Sequence, residues 1–406
     1  MKVEIGIKNF GPIEKAQIEL RPLTIFTGEN NSGKTYMATA IYAIQNAFHR
    51  FNRQKAANTS KDFRRILGDS LEFYFNTSNI ANLKKNGQDR QPTISIKIAE
   101  KDKAWNAKGT IQHPWPVFKE EPDMNHPLLE KWPTTQKQYY LPATRANVIQ
   151  NYMLLTTNSL MSQEERGRQL SGTTAEFIHH LTTQWHTGIP EENPAQFFES
   201  KIHKIAEIIE ADILGGKVSG DIRTPSGLYY SPGKTGNVIE LFKTGAAISE
   251  LAPLTFLLNL IRPGDTVVIE EPEAHLSPQG QAKIAVTLGQ LVRAGVKIII
   301  TTHSDWLLKE VSNLIREGLL KEKGIPWKER ERKGRPEQWL LPDEVGVWQF
   351  YKDEPLKTDY ILFTNINGIE SDEIDDFAEN MYNRSVGLHN RVVEAGEIIT
   401  GGGEYQ

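Results

Sequence analysis

Gly28-Glu29-Asn30-Asn31-Ser32-Gly33-Lys34-Thr35 fits G-x-x-x-x-G-K-S/T, a spacing that wraps backbone N–H groups around phosphate oxygens. Gly28 permits a tight turn out of a strand, and Gly33 lets the backbone close on the anion. Lys34 is placed to reach the β- and γ-phosphates, and the Thr35 hydroxyl to bind Mg²⁺. Asn30, Asn31 and Ser32 complete the cradle, and a helix opening after the loop turns its positive dipole end to the same anion. The chemistry these residues serve is nucleoside triphosphate binding. A second set lies at Thr266-Val267-Val268-Ile269-Glu270-Glu271-Pro272-Glu273, an apolar run ending in paired carboxylates. Beside a phosphate loop, Glu270 would serve the Mg²⁺ shell and Glu271 would polarise the attacking water. Without that loop, the same residues would read as a strand running into a solvated acidic turn. The third is His303, at the end of Ile298-Ile299-Ile300-Thr301-Thr302. It is placed to touch the γ-phosphate or hold the water-activating acid; taken alone, it reads as a hydrogen-bonded structural residue. His303-Ser304-Asp305 is no catalytic triad, because adjacent residues cannot adopt that geometry.

These residues need a sheet that carries them to one edge. Val3, Ile5 and Ile7 alternate with polar neighbours, and Leu23-Thr24-Ile25-Phe26-Thr27 is a short apolar run suited to a buried central strand. Thr35 to Phe51 then has helical spacing, with Met37, Ile41, Ile44 and Phe48 on one face. A polar helical stretch leads to the alternating strand Thr93–Ile98 and a Pro/Trp-rich loop from Pro114 to Pro133. Broken helices are expected from Arg145 to Ala211, and an antiparallel meander from Lys217 to Phe242. A helix (Ile248 to Leu260), the acidic strand, a helix (Pro278 to Arg293) and the His303 strand follow, the alternation of a parallel α/β sheet. The tail Thr400-Gly401-Gly402-Gly403 reads as flexible.

Composition narrows the function classes. The 406 residues carry a net charge of −4, and 24% are charged against 38% hydrophobic, which is globular rather than disordered. No apolar stretch approaches the ~20 residues of a membrane span. The N-terminus alternates and carries an acid, so it is no signal peptide. Zero cysteines exclude disulfides and thiol catalysis, and nothing points outside the cytoplasm. Three further clusters read as structural. Glu370-Ser371-Asp372-Glu373-Ile374-Asp375-Asp376 belongs to an amphipathic pattern with Phe377, Ala378, Met381 and Tyr382, and so forms a solvated acidic helix face. Lys321 to Arg335 is the best local nucleic-acid candidate, but Glu322, Glu329 and Glu331 dilute it into a solvated linker. His179-His180 has no further ligand cluster to make a metal site.

With the three strand-end elements in order, the sequence resembles ABC-type ATPases of the SMC/RecF/OLD clan, and in particular its short AAA-ATPase-like bacterial and archaeal members. Besides those elements, the resemblance rests on Lys8-Asn9-Phe10-Gly11-Pro12-Ile13, Tyr140-Leu141-Pro142-Ala143-Thr144-Arg145 and Ser249-Glu250-Leu251-Ala252-Pro253-Leu254. Glu271-Pro272-Glu273-Ala274-His275-Leu276 and Thr301-Thr302-His303-Ser304-Asp305 complete it. It implies an α/β P-loop head with a mixed central sheet, an antiparallel β subdomain and an inserted helical subdomain. The expected division is an N-terminal lobe over 1–145, the helical insert over 146–215, a C-terminal lobe over 216–385 and a flexible tail over 386–406. It also implies Mg²⁺-dependent ATP hydrolysis between two heads that dimerise around ATP. In that sandwich Gly245, Ala246, Ala247 and Ser249 form the signature segment facing the partner's γ-phosphate, and His275-Leu276-Ser277-Pro278 crosses the dimer interface.

The sequence departs from its relatives at four points. The acid ending the strand is Glu270 rather than Asp, and the signature segment reads Thr244-Gly245-Ala246-Ala247 where a Ser pair is common. Ser277 stands where a second His is frequent, and no Mg²⁺-sensing Gln occurs around Pro142 to Arg145. Slow hydrolysis is the consequence expected of the first two. A C-terminal nuclease domain and long coiled coils are both missing. The resemblance therefore implies a nucleotide switch, a homodimer or higher oligomer, that controls a protein effector, as in anti-phage defence. The alternatives are a DNA-repair or DNA-processing ATPase that grips DNA itself, and a scaffold that binds ATP without turnover.

Overall fold

The structure, a computed structural model, describes residues 1–53, 59–84, 90–131, 137–148, 171–187, 200–220, 228–233, 237–325, 336–352, 358–364, 368–369 and 383–386. The acidic stretch 370–376, the glycine tail and the charge run from residue 326 onward lie outside the described residues.

The chain opens with β1 (Lys2–Phe10), β2 (Ile13–Leu20) and β3 (Leu23–Gly28), followed by helix α1 (Lys34–Arg53). Helix α2 (Ser60–Tyr74) is closed at its start by a capping box in which Thr59 and Asp62 exchange hydrogen bonds. Strands β4 (Thr93–Glu100), β5 (Lys103–Thr110) and β6 (Val117–Phe118) come next. The short helix α3 (Pro127–Lys131) and strand β7 (Gln138–Leu141) follow. The Pro/Trp-rich stretch expected as loop thus contains a short strand and a short helix, because Phe118, Leu128 and Leu129 are buried.

Helices α4 (Gly172–Thr187) and α5 (Lys201–Ile209) occupy the expected helical region, and a π-helical turn, Glu210–Leu214, extends α5. The expected meander is β8 (Gly216–Gly220), β9 (Leu228–Pro232) and β10 (Ile239–Glu240), paired antiparallel. Helix α6 (Ala246–Leu258), β11 (Thr266–Glu270), α7 (Pro278–Arg293), β12 (Lys297–Thr301), α8 (Asp305–Glu322) and β13 (Val345–Phe350) then alternate. The last pieces are β14 (Thr358–Ile361), β15 (Phe363–Thr364) and β16 (Gly368–Ile369).

Two sheets dominate. The central sheet runs β14-β13-β3-β12-β11-β7, with every neighbouring pair parallel except β13–β14. The second is antiparallel, in the order β2-β1-β4-β5-β6. Period-two geometry explains how a nearly continuous apolar strand serves two cores. Leu23 and Ile25 of β3 enter one cluster with α6, α7 and α8, whereas Phe26 enters the other with α1 and the antiparallel sheet. Val267 and Ile269 against Val268, and Ile298 and Ile300 against Ile299, divide in the same way. Helix α1 is therefore buried on nearly all sides between the sheets, with Gln45 buried among its apolar residues.

Candidate functional site

Strand β3 lies between β12 and β13, so its C-terminal end emerges at mid-sheet with Phe26 beside Thr301 and Gly28 beside Phe350. Gly28 has φ 126°, and a Cβ there would sit 2.1 Å from the Phe350 carbonyl oxygen; only glycine fits this turn. Gly33 has φ 100°, and a Cβ there would meet Ile13 at 2.7 Å, which places the β1–β2 turn directly against the loop. Asn31 takes the left-handed region at φ 65°, which Asn tolerates better than most side chains. The buried Ser32 hydroxyl has no partner among the described residues, an orphan donor that a bound oxyanion would satisfy. Lys34 is buried, its Nζ donating to the Gly28 and Glu29 carbonyls at 2.8 and 2.6 Å. Thr35 is exposed at the start of α1, whose first turn contains no acid, so nothing within the helix competes with an anion for its dipole. Asn30 is also exposed.

Strand β11 delivers Glu270 and Glu271 beside this loop, but to different environments. Glu270 is buried, and burial raises its pKa above the usual carboxylate value. One carboxylate oxygen accepts from the Tyr140 hydroxyl, and the other accepts from the Ala143 amide at 3.0 Å. Tyr140 in turn meets the Thr39 hydroxyl of α1 at 3.1 Å. Glu271 is half-buried and left-handed at φ 43°, a conformation that costs about 1–3 kcal/mol and persists only where its surroundings enforce it. Its amide donates to the Thr301 carbonyl at 2.9 Å, which ties the end of β11 to the end of β12.

His303 follows β12, with Nε2 3.8 Å from Glu271 Oε1. Its pKa is lowered first by partial burial and then by the Lys34 ammonium; the Glu271 carboxylate and the Gly28 carbonyl oppose these effects. The three sequence elements thus meet: His303 interacts with Gly28, Lys34 and Glu271 alike. At neutral pH the imidazole is uncharged and can exchange hydrogen bonds with a phosphate, a water or the Glu271 carboxylate.

The α6 N-terminus is separate in construction. Gly245 is its N-cap, with φ −66° and no side-chain cap, and a Cβ at this position would meet nothing within 4 Å. Gly245 and Ala246 are exposed and Ala247 half-buried, so the first-turn amides open outward. Ser249 faces the other way. It is buried, and its hydroxyl donates to the Leu241 carbonyl at 3.1 Å and meets Thr244 Oγ1 at 3.0 Å. Ser277 caps α7 by accepting from the Gly280 amide, and His275 is exposed and left-handed at φ 62°.

Several residues that hold the site together were not singled out as site residues from sequence. Glu273 accepts from the Thr302 hydroxyl at 2.6 Å and the His303 amide at 2.8 Å, and so fixes the His303 turn. Arg145 and Glu250 meet in the interior behind Glu270 and Glu271. Arg145, Glu250 and Glu273 all lie within stretches used to establish the resemblance, but contacts such as Arg145–Glu250, 105 positions apart, leave no local periodicity. His180 packs on Tyr139 with ring centroids 4.8 Å apart, and burial lowers its pKa to about 4. No group of three or more metal-ligating side chains occurs among the described residues, and no helix among them is long and apolar enough to cross a membrane.

Comparison with known proteins agrees with this architecture. A family profile described as an AAA ATPase domain matches residues 1–141 and 162–308. The energy-coupling factor transporter ATP-binding protein EcfA of Carboxydothermus hydrogenoformans is 44% identical over 46 residues, 11% of this chain and 17% of that protein. The chain thus matches only about a sixth of that relative's length. A solved SMC head bound to the C-terminal winged-helix domain of ScpA superposes with TM-score 0.50 at 14% identity, covering 88% of this chain and 97% of that one. A Pyrococcus furiosus SMC head with an extended coiled coil gives TM-score 0.46 at 12% identity, covering 88% and 96%. The mixed central sheet is thus the fold of an ABC-type head of the SMC kind, and the chain belongs to the AAA ATPase domain family.

Proposed function

We propose that this protein is a Mg²⁺-dependent ATP hydrolase that dimerises around ATP and works as a nucleotide switch on a protein effector. The observation that carries this reading is the convergence of Lys34, Glu271 and His303 at the Gly28 turn, with a Ser32 hydroxyl in the same loop that has no partner among the described residues. Lys34 and the α1 N-terminus neutralise the triphosphate. Thr35 and Glu270 are the residues that would hold Mg²⁺, Glu270 with both its oxygens already accepting protein hydrogen bonds. Mg²⁺ suits such a site, since it keeps several waters and needs few protein ligands. When bound, the metal neutralises charge developing on the transferred phosphoryl group. Glu271 accepts a proton from the attacking water, and neutral His303 holds the γ-phosphate side of the site. Gly245–Ala247 offer main-chain amides to the γ-phosphate of a second copy, and Ser249 braces that turn from inside.

With alanines in place of a hydroxyl pair and a buried Glu270, turnover is slow. The effector is a separate protein; the SMC head that shares this fold was itself solved bound to a partner's winged-helix domain. We place the switch in the cytoplasm, in anti-phage defence. The test is Glu271→Gln, which keeps the shape but removes the base. Turnover should fall about 10²–10⁴-fold, with Mg-ATP affinity retained. ATP then stabilises the dimer by linkage and is not discharged, so the variant should accumulate as an ATP-dependent dimer in light scattering. A variant that binds ATP yet stays monomeric would remove the head-dimer reading, and full residual turnover would remove Glu271 as the base.

A further inference from the structure

Among the described residues Arg145 is one of the largest fully buried side chains, and its guanidinium serves three separate segments. Nε donates to the Glu250 carbonyl at 2.9 Å and lies 3.2 Å from Glu250 Oε2. Nη1 donates to the carbonyls of Pro142 and Glu270 at 3.0 and 2.6 Å, and Nη2 to that of Glu271 at 3.2 Å. The Ala146 amide donates to Glu250 Oε1 at 3.3 Å, which completes the clamp. Glu250 sits in α6, five residues beyond Gly245 and so roughly 7.5 Å along the helix at about 1.5 Å per residue.

We propose that Arg145 is a positioning residue that couples the open N-terminus of α6 to the main chain of Glu270 and Glu271. Seating a triphosphate on Gly245–Ala247 is thereby felt at the water-activating carboxylate. This inference rests on the hydrolase reading given above. Three properties favour coupling over a passive buried ion pair. The guanidinium is a rigid planar fork, and its partners here are chiefly main-chain carbonyls, so it reports backbone position rather than side-chain rotamer. Glu271 is held left-handed between this fork on its carbonyl and Thr301 on its amide; a shift of α6 acts on a residue already over-determined. The Pro142–Arg145 turn contains no glutamine, and Arg145 ties this turn to the end of β11 by donating to the carbonyls of Pro142 and Glu270. Close packing around the fork leaves little room for one end to move without the other.

The test uses the full-length protein with Glu250→Gln, a substitution of equal shape that removes the charge from the clamp, and with Arg145→Lys, which keeps charge but not the fork. For Glu250→Gln the expected result is at least a tenfold loss of kcat, with Mg-ATP affinity within about threefold of wild type by calorimetry. Hydrogen exchange with a non-hydrolysable ATP analogue supplies the second readout. In the wild type, slowed exchange at residues 246–250 accompanies slowed exchange at 270–271; in Glu250→Gln only the former responds. Arg145→Lys should match Glu250→Gln; if it fails to fold by near-ultraviolet circular dichroism, the Glu250→Gln readings decide. A kcat loss that merely tracks the loss of folded protein overturns the proposal. So does folded Glu250→Gln with unchanged kcat and unchanged joint protection. If wild type does not hydrolyse ATP, the functional reading fails, and the exchange experiment still decides the coupling.

Discussion

The strand ends around Gly28 and the N-terminus of α6 both present backbone amides toward solvent, yet they are built in opposite ways. At the strand ends almost every feature is enforced. Gly28 and Gly33 are the only residues that fit, Lys34 is buried, and Glu271 and His303 are tied to neighbours by their backbone amides. At α6 nothing enforces the glycine: Gly245 has an ordinary φ, open space where a Cβ would go, and no capping side chain. A glycine that the monomer does not require is explained by something that approaches it from outside. The first region is finished within one chain; in the proposed head dimer, the second is the half that a partner would complete.

That contrast can be broken at several points. The largest effect should come from Lys34→Ala, which deletes the cation buried in the loop. Charge-assisted hydrogen bonds to phosphate are the strong ones, so tight ATP binding should be lost in calorimetry while Gly245–Ala247 stay unaltered. Unchanged affinity would remove the phosphate-loop assignment. Gly245→Asp should act with opposite signs on fold and function. The carboxylate adds the missing cap and favours the helix dipole by about 0.5–1 kcal/mol, so the melting temperature should hold or rise. In the proposed dimer it also sets a negative charge against the partner's γ-phosphate, so ATP-dependent dimerisation and turnover should fall at least tenfold while monomer ATP affinity is kept. Unimpaired dimerisation would mean that the exposed turn does not meet a phosphate.

The smallest effect is one of pH. Burial raises the pKa of Glu273 above its usual value of 4.5, and Oε2 has no partner among the described residues. A folded-state pKa above the unfolded one means that stability is present at low pH and is lost as pH rises through the folded value. Glu273→Gln keeps an oxygen for Thr302 and His303 but cannot ionise. Its melting temperature relative to wild type should therefore climb from pH 4 toward pH 8. A flat difference would show that the carboxylate is not strained by burial.

Contiguous signals were the legible ones. The phosphate loop is eight consecutive residues between a strand and a helix, and the Glu270–Glu271 and His303 strands announce themselves as short apolar runs with polar ends. The parallel part of the central sheet followed from their alternation with helices, whereas its mixed character was implied only by the resemblance. The parallel pairing of β13 with β3 was not legible, because it joins residues more than 300 positions apart across the chain. The Arg145 clamp eluded the sequence for the same reason, although both of its ends lie in stretches that carried the resemblance. Ser249 shows the converse: its place beside the signature residues is clear from sequence, but which way it faces depends on Leu241 and Thr244, which fold back beneath it.

Helix α1, enclosed between two sheets, gives the nucleotide an unusually global audience. The hydrogen-bonded amides of its middle turns are buried between both cores, so they should exchange only when the domain as a whole unfolds. A ligand seated on its first turn therefore does more than quiet the loops it touches. It retards the dissolution of the entire domain and acts as a timer on how long the molecule survives between encounters with a protease.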